Sequence, residues 1–233
     1  VSSSGGVVTL DGGTGTLTTS TNNIHSVTYA QLTSTSAGLG SSSGNLTSTN
    51  DIIDILAPAN FDGNAGLSAA QLSNLDSLTG GRVVIDAGVT IDAGTLAAVH
   101  AAVITGQSSG TLEIDNDYTV GALTAASSTW TGAELAKLSA IAADTTGEVT
   151  ATVVAAGNDI ATNYTGGAAT DENVTLETTS AAATAANLNL LIAETKNVID
   201  ATAISTNGIS GALADVNTLM ITNLGTADNK AFV

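Results

Sequence analysis

Five acidic side chains in the middle of the chain offer the most clearly defined chemistry. They lie at the ends of short β-branched stretches and are Asp86, Asp92, Glu113, Asp115 and Asp117. If such stretches stack as strands, their carboxylates come close together, and Ca²⁺ binds six to eight oxygen ligands of this kind. The simpler interpretation is that they are solvated turn residues that accept hydrogen bonds from backbone amides. Calcium is therefore the one candidate cofactor, and no metal site is assigned.

The histidines and the remaining carboxylates are not spaced as a catalytic or zinc site. His25, in a polar predicted loop, and His100, in a predicted helix, have no HxH or HxxxH partner, and the chain has no cysteine. The pair Asp51/Asp54 could act as acid and base on a glycoside. Aromatic residues make up only 3% of the chain, which leaves few rings to bind a sugar. We therefore predict no catalytic residues, no bound cofactor and no enzymatic activity.

Threonine rows, asparagines and aromatic residues are the remaining candidates for binding. Thr-x-Thr rows, which could order water in the manner of an ice-binding face, are Thr47/Thr49 and Thr150/Thr152. Asn-x-Thr glycosylation patterns begin at Asn45, Asn163 and Asn173. The aromatic residues suited to glycan contact are Tyr29, Tyr118, Trp130 and Tyr164. Each set also has a simpler explanation: threonine favours exposed strands, Asn-x-Thr arises by chance in a Thr-rich chain, and Trp130 suits a packing role.

The charge of the chain excludes several classes of partner. It has 21 acidic residues against 4 Lys and Arg, a formal net charge of −17. Nucleic acids and anionic membrane surfaces require clustered cations, which the sequence lacks. The longest apolar stretches are far shorter than the roughly 20 residues of a membrane-spanning helix. We therefore expect no nucleic-acid binding and no membrane insertion.

A short phrase that recurs along the chain must position these residues. It has a polar or glycine entry followed by a β-branched, Thr/Asp-rich run, as in GGVVTLDG at residues 5–12, GNLTSTND at 44–51, GRVVIDAG at 81–88, GTLEIDND at 110–117 and GEVTATVV at 147–154. Looser copies are ENVTLETT at 172–179 and KNVIDATA at 196–203. The copies recur at intervals of roughly 24–39 residues, which is typical of stacked repeats.

Most phrases are separated by segments with helical spacing of Ala and Leu. The clearest is 68–79, where Ser68 and Gln71 form a capping-box pattern before the apolar stripe. Further helices are predicted at 28–33, 95–105, 131–143, 180–194 and 210–222. The stretch 158–171 is too polar and glycine-rich for a predicted helix.

These patterns predict an α/β repeat protein, a solenoid-like stack of strand–strand–helix coils. Alternation predicts that Val84, Val89, Ile91, Leu112 and Ile114 face inward. The alternative is a β-rich α+β or β-sandwich subunit, for which Asp11-Gly12 and Asn207-Gly208 are hairpin signals. We divide the chain into a β-rich segment, 1–66, that serves as an edge-pairing or assembly arm, and a repeat body, 67–233.

Two stretches of the repeat resemble a known class of sequence. AAQLSNLDSLTGGRVVIDAGV at 69–89 and AELAKLSAIAADTTGEVTATVV at 133–154 are similar to the Ala/Thr-rich repeats of marine cyanobacterial surface proteins and cyanophage appendage proteins. The resemblance implies an extracellular, cell-surface or virion location and supplies no functional residues.

The function expected from the sequence is structural. A small-residue core, a hydroxylated acidic surface and open strand edges favour self-assembly into a filament, fibre or surface coat. Residues 1–19 are the predicted donated or edge-pairing segment. The alternative is an adhesin or receptor-binding module of a larger fibre that contacts glycans or a cell surface.

Overall fold

A computed structural model describes most of the chain from residue 66 onward. The described residues are 66–78, 82–85, 88–108, 110–166, 172–179, 181–192, 194–195, 197, 199–203 and 208–223, together with the backbone of 7–9, 23–25 and 52–55. Contacts divide the chain into unit 1, Val1–Asp92 and Ala101–Thr119, and unit 2, Ala93–His100 and Val120–Val233. The predicted boundary between residues 66 and 67 and the assembly role of residues 1–66 stay predictions.

The described residues form an α/β fold with mostly parallel sheets. The strands are β1 Val7–Thr9, β2 Asn23–His25, β3 Ile52–Ile55, β4 Gly66–Leu67, β5 Val83–Ile85, β6 Thr90–Ile91, β7 Gly94–Thr95, β8 Leu112–Ile114, β9 Thr119–Thr124, β10 Val149–Ala155, β11 Glu172–Thr178, β12 Ala183–Thr184, β13 Ile199–Asp200 and β14 Ile209–Ser210. The α-helices are α1 Ala69–Leu78, α2 Leu96–His100, α3 Gly106–Ser108, α4 Gly132–Asp144, α5 Gly157–Asn163, α6 Ala185–Leu191 and α7 Leu213–Asn217, and the π-helices are π1 Ala101–Thr105 and π2 Thr218–Asn223. No described helix has both the length and the apolar character needed to cross a membrane.

In unit 1 a five-stranded sheet follows the order β1-β2-β3-β5-β8, and its strands pair in parallel. Because the strand order is the chain order, each strand lies next to the one formed before it. Val83 pairs with Ile53 on one side and with Leu112 on the other, so β3, β5 and β8 follow one another about every 30 residues, within the range of stacked repeats.

The predicted strand–corner–strand arrangement is present in unit 1 over residues 83–91. β5 joins the five-stranded sheet, whereas β6 pairs in parallel with β4. Gly88, between them, has φ +83°, a left-handed conformation that a side chain disfavours. The two strands therefore leave the corner in different sheets, as predicted from the Ala-Gly signal.

Burial confirms the predicted inward residues except in β5. Val89, Ile91, Leu112 and Ile114 are buried. In β5 the buried residues are Val83 and Ile85, while Val84 is half-buried. The prediction that Val84 faces inward was wrong, because the strand begins at Val83 and alternation then places Val84 on the outer face.

In unit 2 the strands β9, β10, β11 and β13 pair in this order and in parallel. The long central pair runs in register from Val149 opposite Glu172 to Ala155 opposite Thr178. Helices α4, α5, α6 and α7 are neighbours in the same order. The parallel pairing is the opposite of the hairpins that the β-sandwich alternative requires. Asp11-Gly12 and Asn207 lie outside the described residues.

Small residues line the contact between successive helices of unit 2. Gly157, at the start of α5, is buried, and a Cβ added to it would lie 3.3 Å from Ala183 Cβ and 3.4 Å from Leu188 Cδ2. Ala183 and Ala185 are themselves fully buried. Parallel strands stack at about 4.8 Å whereas helices pack no closer than about 8 Å. Small residues at the helix contact reduce this mismatch.

The predicted helices are confirmed in position, with changes at their ends. α1 begins after Ser68, and α4 spans residues 132–144. The helix predicted at 95–105 is α2 followed by π1, and the one predicted at 210–222 is α7 followed by π2. α6 is shorter than the predicted 180–194. The helix predicted at 28–33 lies outside the described residues.

The prediction that residues 158–171 contain no helix was wrong for their first part, where α5 forms. Ile160 and Tyr164 are buried, and the Asn158 side chain bonds to the segment that precedes α6. These tertiary contacts outweigh the poor helix propensity of a polar stretch.

Candidate functional site

The predicted calcium residues lie at the surface of unit 1 and bond to neighbouring repeats. Asp92, Glu113, Asp115 and Asp117 are exposed, and Asp86 lies outside the described residues. Glu113 forms an ion pair with Arg82, and Asp117 Oδ1 accepts a hydrogen bond from the Gly88 amide at 2.9 Å. Within the described residues no group of three or more potential metal ligands comes together. Calcium binding stays a prediction.

Of the histidines and the carboxylate pair, only His100 has a side chain that the structure describes. His100, at the end of α2, is half-buried, and burial lowers the pKa of its imidazole, with a smaller contribution from the positive charge of Lys137. His25 ends strand β2 instead of lying in a loop. Asp54 lies in β3, and Asp51 is outside the described residues. His100 is therefore an uncharged residue at the edge of the core near neutral pH.

Three of the four aromatic residues predicted for glycan contact are core residues. Tyr118 is fully buried, and Trp130 and Tyr164 are 5% and 2% exposed. Tyr29 lies outside the described residues. The ring faces of these three residues are therefore not available as a platform on which a glycan could stack.

Two of the three glycosylation patterns are engaged in structural contacts. Asn163 Nδ2 donates to the carbonyl of Asp159 at 2.9 Å, and its amide group lies 3.2 Å from where a Cβ on Gly132 would be. Asn173 lies in β11 with its amide bonded to neighbouring strands. A glycan on either asparagine would break these contacts. Asn45 and the pair Thr47/Thr49 lie outside the described residues.

Side chains on the outer face of unit 2 form a hydrogen-bonded row across successive strands, which we call the asparagine ladder. It consists of Glu148, Thr150, Asn173 and Asn197. Asn173 Nδ2 lies 3.3 Å from Glu148 Oε1 and 3.5 Å from Thr150 Oγ1, and Asn197 Nδ2 donates to Asn173 Oδ1 at 3.0 Å. The ladder links three consecutive repeats perpendicular to their strands.

A second set of contacts joins α5 to the beginning of α6. Asn158 Oδ1 accepts from the Thr184 amide at 3.1 Å and from Asn187 Nδ2 at 3.0 Å, while Asn158 Nδ2 donates to the Ala182 carbonyl at 3.3 Å. A single asparagine thus satisfies both backbone and side-chain groups of the following repeat. These bonds set the position of one helix relative to the next.

A serine or a threonine caps the N-terminus of several helices. Ser68 and Gln71 form the predicted capping box, and Thr131 and Glu134 form another. Thr184 caps α6 by accepting from the Asn187 amide at 3.2 Å. Two helices, α5 and α7, begin after Ala156 and Ala212 without a side-chain cap.

An open groove lies on the outer face of unit 2; we call it the hydroxyl groove. It has a volume of about 320 Å³ and lies between β9, β10 and the segment 125–130. Its hydroxyl groups come from Thr124, Ser127, Ser128, Thr150 and Thr152. All its lining residues lie within 122–154, and none of them is charged. Trp130 contributes to its wall with the little surface that it exposes.

Comparisons with protein-family models, with curated proteins and with solved structures gave no match to this chain. The function must therefore be inferred from the chain's own geometry.

The sequence interpretation missed both the asparagine ladder and the hydroxyl groove. The ladder had a signal: Glu148, Asn173 and Asn197 each precede the first apolar residue of a recurring phrase, in GEV, ENV and KNV. The groove had none, because its walls come from residues that are distant in sequence and of the commonest types in the chain.

Proposed function

We propose that this chain is a structural protein that self-assembles into an extracellular or virion filament, fibre or surface coat. We further propose that each unit is a solenoid-like stack of coils, in which one coil comprises the strands and the helix of one repeat. The observation that carries the proposal is the strand order. In both units parallel strands lie side by side in the order in which the chain forms them.

The contacts between coils support a structural role, because side chains of one coil bond to the next. The asparagine ladder joins adjacent coils through side-chain pairs, and Asn158 joins them through bonds to both the backbone and a side chain of the next coil. Stacked amide groups of this kind stabilise many repetitive β assemblies. The buried residues of these coils are mainly Val, Ile, Leu and Ala, and the rings of Trp130 and Tyr164 pack inside.

The last described coil of unit 2, residues 208–223, supports growth by addition of a further layer. Leu213 is 85% exposed, and Ile209, Met220 and Ile221 are also exposed. A solenoid that ends as a soluble body presents a polar outer face on its last repeat. α7 packs on α6, as α6 packs on α5, in order along the chain, and we propose that a second copy of the chain covers this apolar surface as a further layer.

Strand β1 supports the same proposal at the other terminus. It occupies one end of the strand order in the five-stranded sheet and belongs to the predicted edge-pairing segment 1–19. An edge strand presents N–H and C=O groups that can pair with another chain.

The net charge of −17 sets the conditions for assembly. Copies of the chain repel one another at low ionic strength, and salt screens this repulsion over a Debye length of about 10 Å at 0.1 M. We therefore expect assembly to increase with salt. The repeats resemble those of cyanobacterial surface proteins and cyanophage appendage proteins. This resemblance supports a location outside the cell or on a virion, which is part of the proposal.

Electron microscopy of the concentrated protein, in low and in moderate salt, tests this function. The proposal expects filaments, fibres or sheets whose number increases with salt. Dispersed particles of single-chain size in both conditions would contradict it.

A further inference from the structure

We propose that the hydroxyl groove binds an uncharged saccharide unit. This inference concerns unit 2 alone and does not depend on self-assembly. The stacking of the strands does not require the hydroxyl groups or the shape of this groove, and the proposal assigns a ligand class to them.

The first argument is the chemistry of the lining. A hydroxyl group both donates and accepts hydrogen bonds, as the hydroxyl groups of a sugar do. The side-chain hydroxyls of Ser128 and Thr152 line the groove and have no hydrogen-bond partner among the described residues. Ser127 Oγ and Thr124 Oγ1 donate to the carbonyls of Thr129 and Gly94 and keep lone pairs that can accept. The groove therefore offers matched donors and acceptors.

The second argument is charge. The groove is lined without a carboxylate, guanidinium or ammonium group, although the whole chain carries a net charge of −17. An anionic ligand would meet a repulsive field with no local cation to offset it. A metal ion would find no carboxylate ligands in the groove. A neutral, hydroxylated ligand is the class that this lining fits.

The third argument is shape. The pairing of β9 with β10 is irregular: Val149 lies opposite Val120 and Ala151 opposite Leu123, so β9 carries an extra residue. Such a β-bulge bends the strand and redirects side chains, and bulges are common beside binding sites. The bulge falls at Gly121 and Ala122, and Ala122 lines the groove. The volume of about 320 Å³ is at the lower end of the range for small-molecule sites.

The affinity follows from these features. A small ligand held only by neutral hydrogen bonds in an open groove binds with a Kd on the order of millimolar. Trp130 is the one tryptophan of the chain and contributes to the groove wall, so its fluorescence reports on this site.

The test uses the full chain and the methyl glycosides of glucose, mannose and galactose, each at about 5 mM, several-fold above the expected Kd. Saturation-transfer NMR detects binding, and Trp130 fluorescence locates it. The methyl glycoside of N-acetylneuraminic acid serves as an anionic counterpart. We expect at least one neutral glycoside to bind and the anionic one not to bind.

Two variants and a matched control assign the binding to the groove. Thr152→Val removes one hydroxyl without changing the shape of the side chain and should weaken binding about 2- to 10-fold, the effect of one hydrogen bond. Ala122→Leu fills the groove and should abolish binding. Thr175→Val alters the residue opposite Thr152 on β11, outside the groove, and should leave binding unchanged. Circular dichroism confirms that each variant is folded.

The proposal is overturned by any of three results. The first is that no neutral glycoside shows saturation transfer. The second is that the anionic glycoside binds as well as the neutral ones. The third is that Thr152→Val and Thr175→Val weaken binding equally.

Discussion

The central and the last described segments of unit 2 are built from similar sequences but differ in how well their apolar residues are buried. In the central segment, residues 132–192, Leu135, Leu138 and Leu188 are fully buried. In the terminal segment, residues 208–223, Leu219 is buried but Leu213 is 85% exposed. The comparison shows that a leucine of these helices is buried only where a neighbouring element covers it.

Helix caps do not separate the two segments, whereas asparagine contacts to the following repeat occur in the central one. α4 and α6 begin with a threonine that caps the helix, while α5 in the central segment and α7 in the terminal segment each begin after an alanine with no side-chain cap. In the central segment, Asn158 and Asn173 bond to the following repeat.

The largest expected effect compares two leucines in helices. Leu138→Ala in α4 should lower the free energy of unfolding by about 2–5 kcal/mol, since the deletion leaves a cavity in a packed core. Leu213→Ala in α7 should change it by no more than about 0.5 kcal/mol, because that side chain is already in water. Urea denaturation of the dilute protein measures both. Equal losses would show that the two segments do not differ as described.

The asparagine ladder should give the next largest effect. Asn173→Ala removes bonds to the strands on both sides and should lower the free energy of unfolding by about 1–2 kcal/mol. Thr175→Ala is the control, since Thr175 is a half-buried residue two positions along the same strand and has no side-chain bond among the described residues. A loss of stability that is no larger for Asn173→Ala than for the control would show that the ladder does not stabilise the fold.

Helix caps can be tested with one variant that removes a cap and another that adds one. Thr131→Ala removes the capping box of α4 and should destabilise the protein by about 1 kcal/mol. Ala212→Ser introduces a cap where α7 has none and should stabilise the protein by a few tenths of a kcal/mol. Thermal unfolding distinguishes the two outcomes. If Ala212→Ser is destabilising, the terminal helix does not lack a cap in solution.

The smallest effect is the pH dependence of the same capping box. The pKa of Glu134 is lowered chiefly because the Thr131 amide donates to its carboxylate, with further bonds from the Ala126 amide and the Thr131 hydroxyl. A lowered pKa in the folded state stabilises the protein above the ordinary glutamate value, about 4.3. That stability is lost as the pH falls through the lowered pKa.

Glu134→Gln provides the control for this titration, because glutamine can accept the same bonds but does not ionise. The difference in stability between the native protein and this variant should be largest at neutral pH and vanish in acid. A difference that is independent of pH would show that the charge of Glu134 does not contribute.

Much of the fold could be predicted because local signals agree with tertiary packing. The strands β10 and β11 and the capping box of Ser68 and Gln71 appear where the sequence places them. The helix α5 could not be predicted, since its stability comes from Ile160 and from the bonds of Asn158 to the next repeat. The inward residues of β5 were misassigned because a shift of one residue exchanges the two faces of a strand.

The candidate sites were less predictable than the fold. Acidic residues at strand ends suggested a calcium site in the sequence, yet Glu113 bonds to Arg82 and Asp117 bonds to Gly88. Trp130 is buried in the wall of the groove, which agrees with the packing role that the sequence favoured for it. The groove itself depends on a bulge in β9 and on residues of β10, which no local pattern connects.

Sedimentation velocity over a wide range of protein concentration tests the central claim, self-assembly of stacked units, most directly. We expect the native chain to form larger species as concentration rises and Leu213→Glu, in the terminal segment, to suppress them. Leu190→Glu is the matched control, since Leu190 is 55% exposed but lies in α6 of the central segment, and it should assemble like the native chain. A native chain that sediments as a monomer at every concentration would contradict the account.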